Sequence, residues 1–297
     1  MGLRIKTNVE SLAAQRQLGQ SRAEMSDSLQ KLASGLRINK SADDAAGLAV
    51  SEGMRAKVKG LGQAKRNAND GISFLQVAEG GLSELNNLTV RMRELTTQAA
   101  SDTIGKTERG FLNREFQELK SEITRIKEET EFNGIRVLNA DDSKVDRAIQ
   151  VGVSYRGKDS KAKDESDIIR INFSQLEGLN SALGSLNDLK ITTEDGSGGQ
   201  ELGGGKTNEI FSKLDEAITS VTDFRATLGS LQSRLNSSVT AIDVSTENLN
   251  AAQSRIRDVD YASETARLTQ NRILTAAGTS VLSQANSAPE SVLQLLR

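Results

Sequence analysis

The chain has 297 residues, enough for one large or two medium domains with a sizeable core. It contains no His, Cys or Trp, 3% aromatic residues and one proline, Pro289. Zinc, haem, thiol and Ser-His-Asp chemistry therefore lack their usual side chains, disulfides cannot form, and nearly the whole chain is free to run as long helices. A net charge of -2 with both signs interspersed argues against an electrostatic grip on nucleic acid or on anionic lipid.

The first residues, MGLRIKTNVESLAAQ, hold no apolar run long enough for a signal peptide or a membrane span. Leu18, Met25, Leu29, Leu32 and Leu36 then form a narrow helical stripe that carries no core of its own. Such a seam is marginal in water until something covers it. In SADDAAGLAVSE, 41–52, the adjacent carboxylates Asp43 and Asp44 read as the start of a helix. Ser41 is the expected N-cap with Asp44 as its reciprocal partner, and Asp43 lies in the first turn, where the helix dipole favours an acid. A catalytic acid pair would need separated environments, which neighbours on one helix do not have.

The cluster RAKVKGLGQAKR, 55–66, is the best basic candidate, but it has no aromatics for base stacking and reads as a solvated or subunit-facing surface. Leu85, Leu88, Met92, Leu95 and Ala99 form one apolar stripe, and Leu112, Phe116, Leu119, Ile123 and Ile126 form a second. SDTIGKTERG, 101–110, is the expected turn between these two antiparallel helices.

The period changes to two in AIQVGVSY, 148–155, and IIRINF, 168–173, which are expected strands of a hairpin. Between them, RGKDSKAKDESD is a charged loop or tip. EDGSGGQELGGGK, 194–206, with six glycines, reads as a flexible exposed crossing. Arg136, Lys144 and Arg147 read as solvated charges.

Leu214, Val221, Leu228, Leu235, Ile242, Leu249 and Ile256 recur every seventh residue, interleaved with a smaller set from Ile210 to Ala252. This is a sustained heptad seam, and a helix over 210–256 would run roughly 70 Å, needing partners along its length. Near the C-terminus Leu274, Ala277, Val281, Ala285 and Ala288 form a last stripe, rich in small residues. The fold class expected is mainly α: a long antiparallel helical coiled-coil bundle with a small β-hairpin region and paired terminal helices.

The strings TNVESLAAQRQL, SLQKLASGLRINKSADDAAGLAVSE, NDGISFLQVAEGGLSEL and EFNGIRVLN resemble the first block of the bacterial flagellins. LGSLQSRL, NLNAAQSRIRDVDYASETARL and ILTAAGTSVLSQANSAPESVLQLLR resemble their second block. Together the two cover roughly 1–140 and 207–297. The resemblance implies an inner domain of 1–40 with 258–297, a helical rod of 41–140 with 207–257, and 141–206 as hairpin and short insert, without a large outer domain.

The resemblance also implies a structural role: unfolded export through the flagellar type III system, then polymerisation through the terminal stripes Leu18, Met25, Leu29, Leu32, Leu36, Leu274, Ala277, Val281 and Ala285. The implied partners are other copies of the chain, hook-associated junction and cap proteins, and an export chaperone at the C-terminus. The implied place is the extracellular filament, a sheathed or periplasmic flagellum being left open, with no cofactor, nucleic acid or membrane insertion. Contact with a host innate immune receptor is implied at Arg91, Leu95 and Glu115, against ordinary subunit contact at the same residues. Recognised members carry an arginine where this chain has Leu119, which also falls on an apolar stripe. Of the rivals, a hook-filament junction protein shares part of the terminal pattern, a cytosolic coiled-coil adaptor would not explain the matching ends, and an inserted HExxH metallopeptidase is ruled out by the lack of His.

Overall fold

The computed structural model describes residues 8–139, 147–153, 167–171, 174–186, 189–190 and 206–295. Six helices occur among them: α1 (Val9–Ser34), α2 (Ala45–Ala99), α3 (Lys106–Glu129), α4 (Ser174–Ser185), α5 (Lys206–Arg257) and α6 (Tyr261–Leu295). Two antiparallel strand pairs join them, β1 (Glu131–Phe132) with β2 (Ile135–Arg136) and β3 (Arg147–Gln150) with β4 (Ile168–Ile171). The architecture is mainly α, with terminal helices α1 and α6 packed on each other. The chain divides into two compact units, 59–246 and 1–58 with 247–297.

In the 59–246 unit the heptad residues Leu214, Val221, Leu228 and Leu235 are buried in a core shared with Leu85, Met92 and Leu95 of α2 and Phe116 and Ile123 of α3. Ile242 is buried as well. Hydrophobic periods of three and four put these side chains on one face of each helix, and fully burying each contributes roughly 1.5–3 kcal/mol. The α2–α3 connection is shorter than the 101–110 expected: α2 stops at Ala99, α3 begins at Lys106 so that 106–110 are helical, and the buried Arg109 donates from Nη2 to Ser101 O at 3.0 Å.

The β pairs lie along α2. A Cβ added at Gly71 would come 2.3 Å from Ile149 Cδ1 of β3, and one at Gly81 2.8 Å from Cδ1 of Leu138, just after β2, so these glycines are notches that admit those side chains. Phe132 meets Phe74 edge-on with ring centroids 5.8 Å apart.

Several expectations need correcting. The helix expected to be capped by Ser41 starts later: Asp44 precedes its first residue and accepts from the Gly47 N–H at 2.8 Å, while Asp43 lies before the helix and braces the loop through the Asn39 and Lys40 N–H groups, both at 2.9 Å. Residues 41–43 turn before the helix starts, which displaces the cap by three positions. Leu36 is not on α1, which ends at Ser34 and is closed by Gly35 in the left-handed region (φ 72°). The pair β1–β2 and helix α4 were not expected. Leu176, Leu179, Leu183 and Leu186, in and just after α4, join the same core as α2, α3 and α5, so the described part of 141–206 adds to that core. Tyr155, Phe173, Lys144, the charged tip at 156–166 and the glycine-rich run at 194–205 lie outside the described residues.

Candidate assembly surface

The 1–58 and 247–297 unit is built on α1 and α6, which run antiparallel with Cα atoms approaching within 8 Å. At one end Asn8 caps α1, accepting from the Ser11 N–H at 3.0 Å, and its Nδ2 donates to Ala285 O at 2.7 Å. Beside it Ser11 Oγ donates to Asn286 Oδ1 at 2.8 Å. Midway Leu18 fits against Gly278, where an added Cβ would lie 3.3 Å from Leu18 Cδ1. At the far end Tyr261 donates its hydroxyl to Leu32 O at 3.4 Å.

The seam has an unusual composition. On α1 the inward positions are Ser11, Ala14, Leu18, Ser21, Met25, Ser28 and Leu32; on α6 they are Glu264, Leu268, Asn271, Thr275, Gly278, Leu282 and Ala285, each set alternating at three and four. Serine and glycine at these places let the backbones come close between the larger Leu18, Met25, Leu32, Leu268 and Leu282. Larger side chains face outward: Val9 is 62% exposed, Leu12 55%, Ile273 64% and Val281 58%. Around Ile273 and Leu274 an open groove is lined by Ala262, Thr265, Ala266 and Thr269. Thr265 donates to Tyr261 O at 2.7 Å and Thr269 to Thr265 O at 2.8 Å.

The residues singled out in the sequence therefore divide. Leu18 and Ala285 are buried in the seam, Met25 and Leu32 are half-buried in it, and Leu29, Leu274, Ala277 and Val281 face outward. Polar seam positions such as Asn271 and Glu264 escaped a search for apolar stripes, although their heptad spacing is present in the sequence. Of the long heptad, Leu249 and Ile256 are half-buried and belong to this unit, whereas Leu214 to Ile242 belong to the other.

A junction ties the two chain crossings together. Leu36 and Asp258 form an antiparallel bridge, the Arg37 N–H donates to Arg257 O at 2.6 Å, and the Val259 N–H donates to Gly35 O at 3.0 Å. Arg37 Nη2 also donates to Ile256 O at 2.7 Å, and Arg257 Nη1 pairs with Glu52 Oε1 at 2.5 Å. The Arg257 hydrogen bond holds the Glu52 carboxyl below its usual range; the Lys40 and Asn39 N–H groups do the same for Asp43.

Elsewhere several charges are paired. Arg91 bridges Glu115 at 2.8 Å and Glu94 at 3.0 Å on an exposed surface, and these carboxylates raise its pKa. Leu95 is 1% exposed and presents nothing to a partner, and Leu119 packs partly buried against the core. Within the basic cluster Lys65 pairs with Asp243 at 2.7 Å and Arg55 with Glu52 at 3.4 Å. Among the described residues no cluster of acidic side chains is arranged to hold a metal ion, and no helix is long and apolar enough to cross a membrane.

Comparison with known proteins places this geometry in a family. Residues 5–143 match the bacterial flagellin N-terminal helical region and 211–296 match the bacterial flagellin C-terminal helical region. A flagellin of Halalkalibacterium halodurans is 40% identical over 293 residues, covering 99% of each chain. The flagellar filament 33 kDa core protein of Treponema phagedenis is 38% identical over 296 residues, again covering 99% of each. A crystal structure of Bacillus cereus flagellin aligns with 60% of this chain and 88% of its own, at 27% identity and a TM-score of 0.46. With both terminal regions matched and relatives aligned almost from end to end, the chain belongs to the bacterial flagellin family, structural subunits of the flagellar filament and not enzymes.

Proposed function

We propose that the α1–α6 pair is the element through which subunits join, and that the chain is exported unfolded through the flagellar type III apparatus to polymerise outside the cell. The observation that supports this is the distribution of side chains on the pair. In the seam serine, asparagine, threonine and glycine alternate with Leu18, Met25, Leu268 and Leu282, while Val9, Leu12, Ile273 and Val281 face outward. A pair so constituted gains little by closing on itself and much by being covered, so its folding is coupled to lateral contact with other copies. In this reading the α1–α6 pair forms the filament core. Junction and cap proteins meet the two ends of the polymer, and an export chaperone covers the C-terminal segment before export. Since the described part of 141–206 adds to the main core, the filament surface carries only small protrusions.

The test is seeded elongation followed by electron microscopy, comparing the full chain with a version lacking 1–30 and 270–297. Long filaments from the full chain alone are expected. A full chain that stays a discrete oligomer, or a truncated one that elongates equally well, would overturn the proposal.

A further inference from the structure

The dipeptide Asn-Gly occurs once in the sequence, at Asn133–Gly134. It forms the two-residue loop between β1 and β2, with φ 52° at Asn133 and 75° at Gly134, the left-handed pair that a tight hairpin turn requires. Asn133 is the one non-glycine residue at positive φ among the described residues. Both residues are exposed, and among the described residues neither the Gly134 N–H nor the Asn133 carboxamide is held in a hydrogen bond. Other carboxamides are tied: Asn39 Nδ2 donates to Ser34 Oγ at 2.8 Å, Asn67 Nδ2 to Gln150 O at 3.2 Å, and Asn286 Oδ1 accepts from Ser11.

We propose that Asn133 is a site of spontaneous covalent ageing, at which the folded chain converts asparagine to isoaspartate. The Gly134 main-chain nitrogen attacks Asn133 Cγ. Its proton passes through solvent to the departing amide nitrogen, which leaves as ammonia, and a succinimide ring closes. Water then opens the ring: cleavage at the side-chain carbonyl gives aspartate, and cleavage at the main-chain carbonyl gives isoaspartate. No oxidant or cofactor enters.

Three features favour this position. Glycine offers no side chain to obstruct the attack. The carboxamide and the amide are both unengaged. The ladder that must loosen for the ring to close is short, Glu131 with Arg136 and Phe132 with Ile135, continued by one bond from the Val137 N–H to Thr130 O at 2.9 Å, so the required opening is small and local. The product matters to the fold because isoaspartate carries the main chain through its Cβ. One extra backbone atom in a two-residue loop breaks the match between β1 and β2 and draws Phe132 away from Phe74.

The test is peptide mapping by mass spectrometry after prolonged incubation of the purified full chain at mildly alkaline pH, with fragmentation that separates aspartate from isoaspartate. Asn133→Gln, run in parallel, identifies the product peptide. The expected result is loss of Asn133 ahead of every other asparagine, including Asn236 and Asn286, which are also followed by a small residue, with isoaspartate as the larger product. If Asn133 in the folded chain survives as long as Asn236 and Asn286, the hairpin protects it and the proposal is wrong.

Discussion

Leu18 of α1 packs over Gly278 of α6, with 3.3 Å between Leu18 Cδ1 and the place where a Cβ on residue 278 would stand. A leucine seated over a glycine constrains both the spacing and the register of α1 against α6 at this point. Gly278→Leu should drive the helices apart and raise the subunit concentration needed for seeded growth, while leaving thermal unfolding of the 59–246 unit unchanged. Leu18→Ala in the same chain should recover part of the growth by returning the space. Growth of Gly278→Leu at the parent rate would show that the seam is not closed during assembly.

Core and outward positions should separate cleanly. Leu228 is 2% exposed and Val281 58%. Leu228→Ala should cost about 2–5 kcal/mol in chemical denaturation, through lost burial and a residual cavity. Val281→Ala should change the monomer by less than about 0.5 kcal/mol yet slow elongation, because its apolar surface is used only when another copy covers it. A Val281→Ala chain that elongates normally would remove this position from the assembly surface.

The start of α2 can be tested with two substitutions. Asp44→Ala removes the acceptor that satisfies the Gly47 N–H and should cost about 0.5–2 kcal/mol. Ser41→Ala should remain within about 0.5 kcal/mol of the parent, since Ser41 is exposed and lies outside the helix. Equal effects in thermal denaturation would return the cap to Ser41.

The junction should weaken in acid. The Lys40 and Asn39 N–H groups lower Asp43, and Arg257 lowers Glu52, so both carboxyls have folded values below those of the unfolded chain. For a lowered carboxyl the stabilisation is present above the unfolded pKa, about 3.9 for Asp and 4.3 for Glu, and is lost as pH falls through the folded value. The pair Asp43→Asn with Glu52→Gln should thus be less stable than the parent at neutral pH, with the gap closing below about pH 4. Melting curves across that range would show it; a gap that widens in acid would contradict the assignment.

Much of the 59–246 unit was legible because large aliphatic residues keep their period where they are buried: Leu214, Val221, Leu228 and Leu235 could be read directly. The terminal pair was less legible for the opposite reason. Ser11, Ser21, Ser28 and Asn271 are buried, whereas Leu274 and Val281 are exposed, so hydrophobicity marked the outer face of α6 in place of its seam. The β1–β2 pair is too short to show alternation, and only Asn133–Gly134 marks it. In α4 the repeat Leu176, Leu179, Leu183, Leu186 was present but interrupted by Gly178 and Gly184, residues that ordinarily weaken a helix.

The threonine hydroxyls of α6 change the nature of its outer groove. Thr265 and Thr269 already donate to carbonyls of their own helix, at 2.7 and 2.8 Å. When another surface closes over Ile273 and Leu274, neither hydroxyl proton has to be stripped of water or found a new acceptor, and what meets the incoming surface is largely methyl. The two threonines of the groove therefore behave as oily surface, and its adhesion should persist in high salt, where ion pairs such as Lys65 with Asp243 are screened.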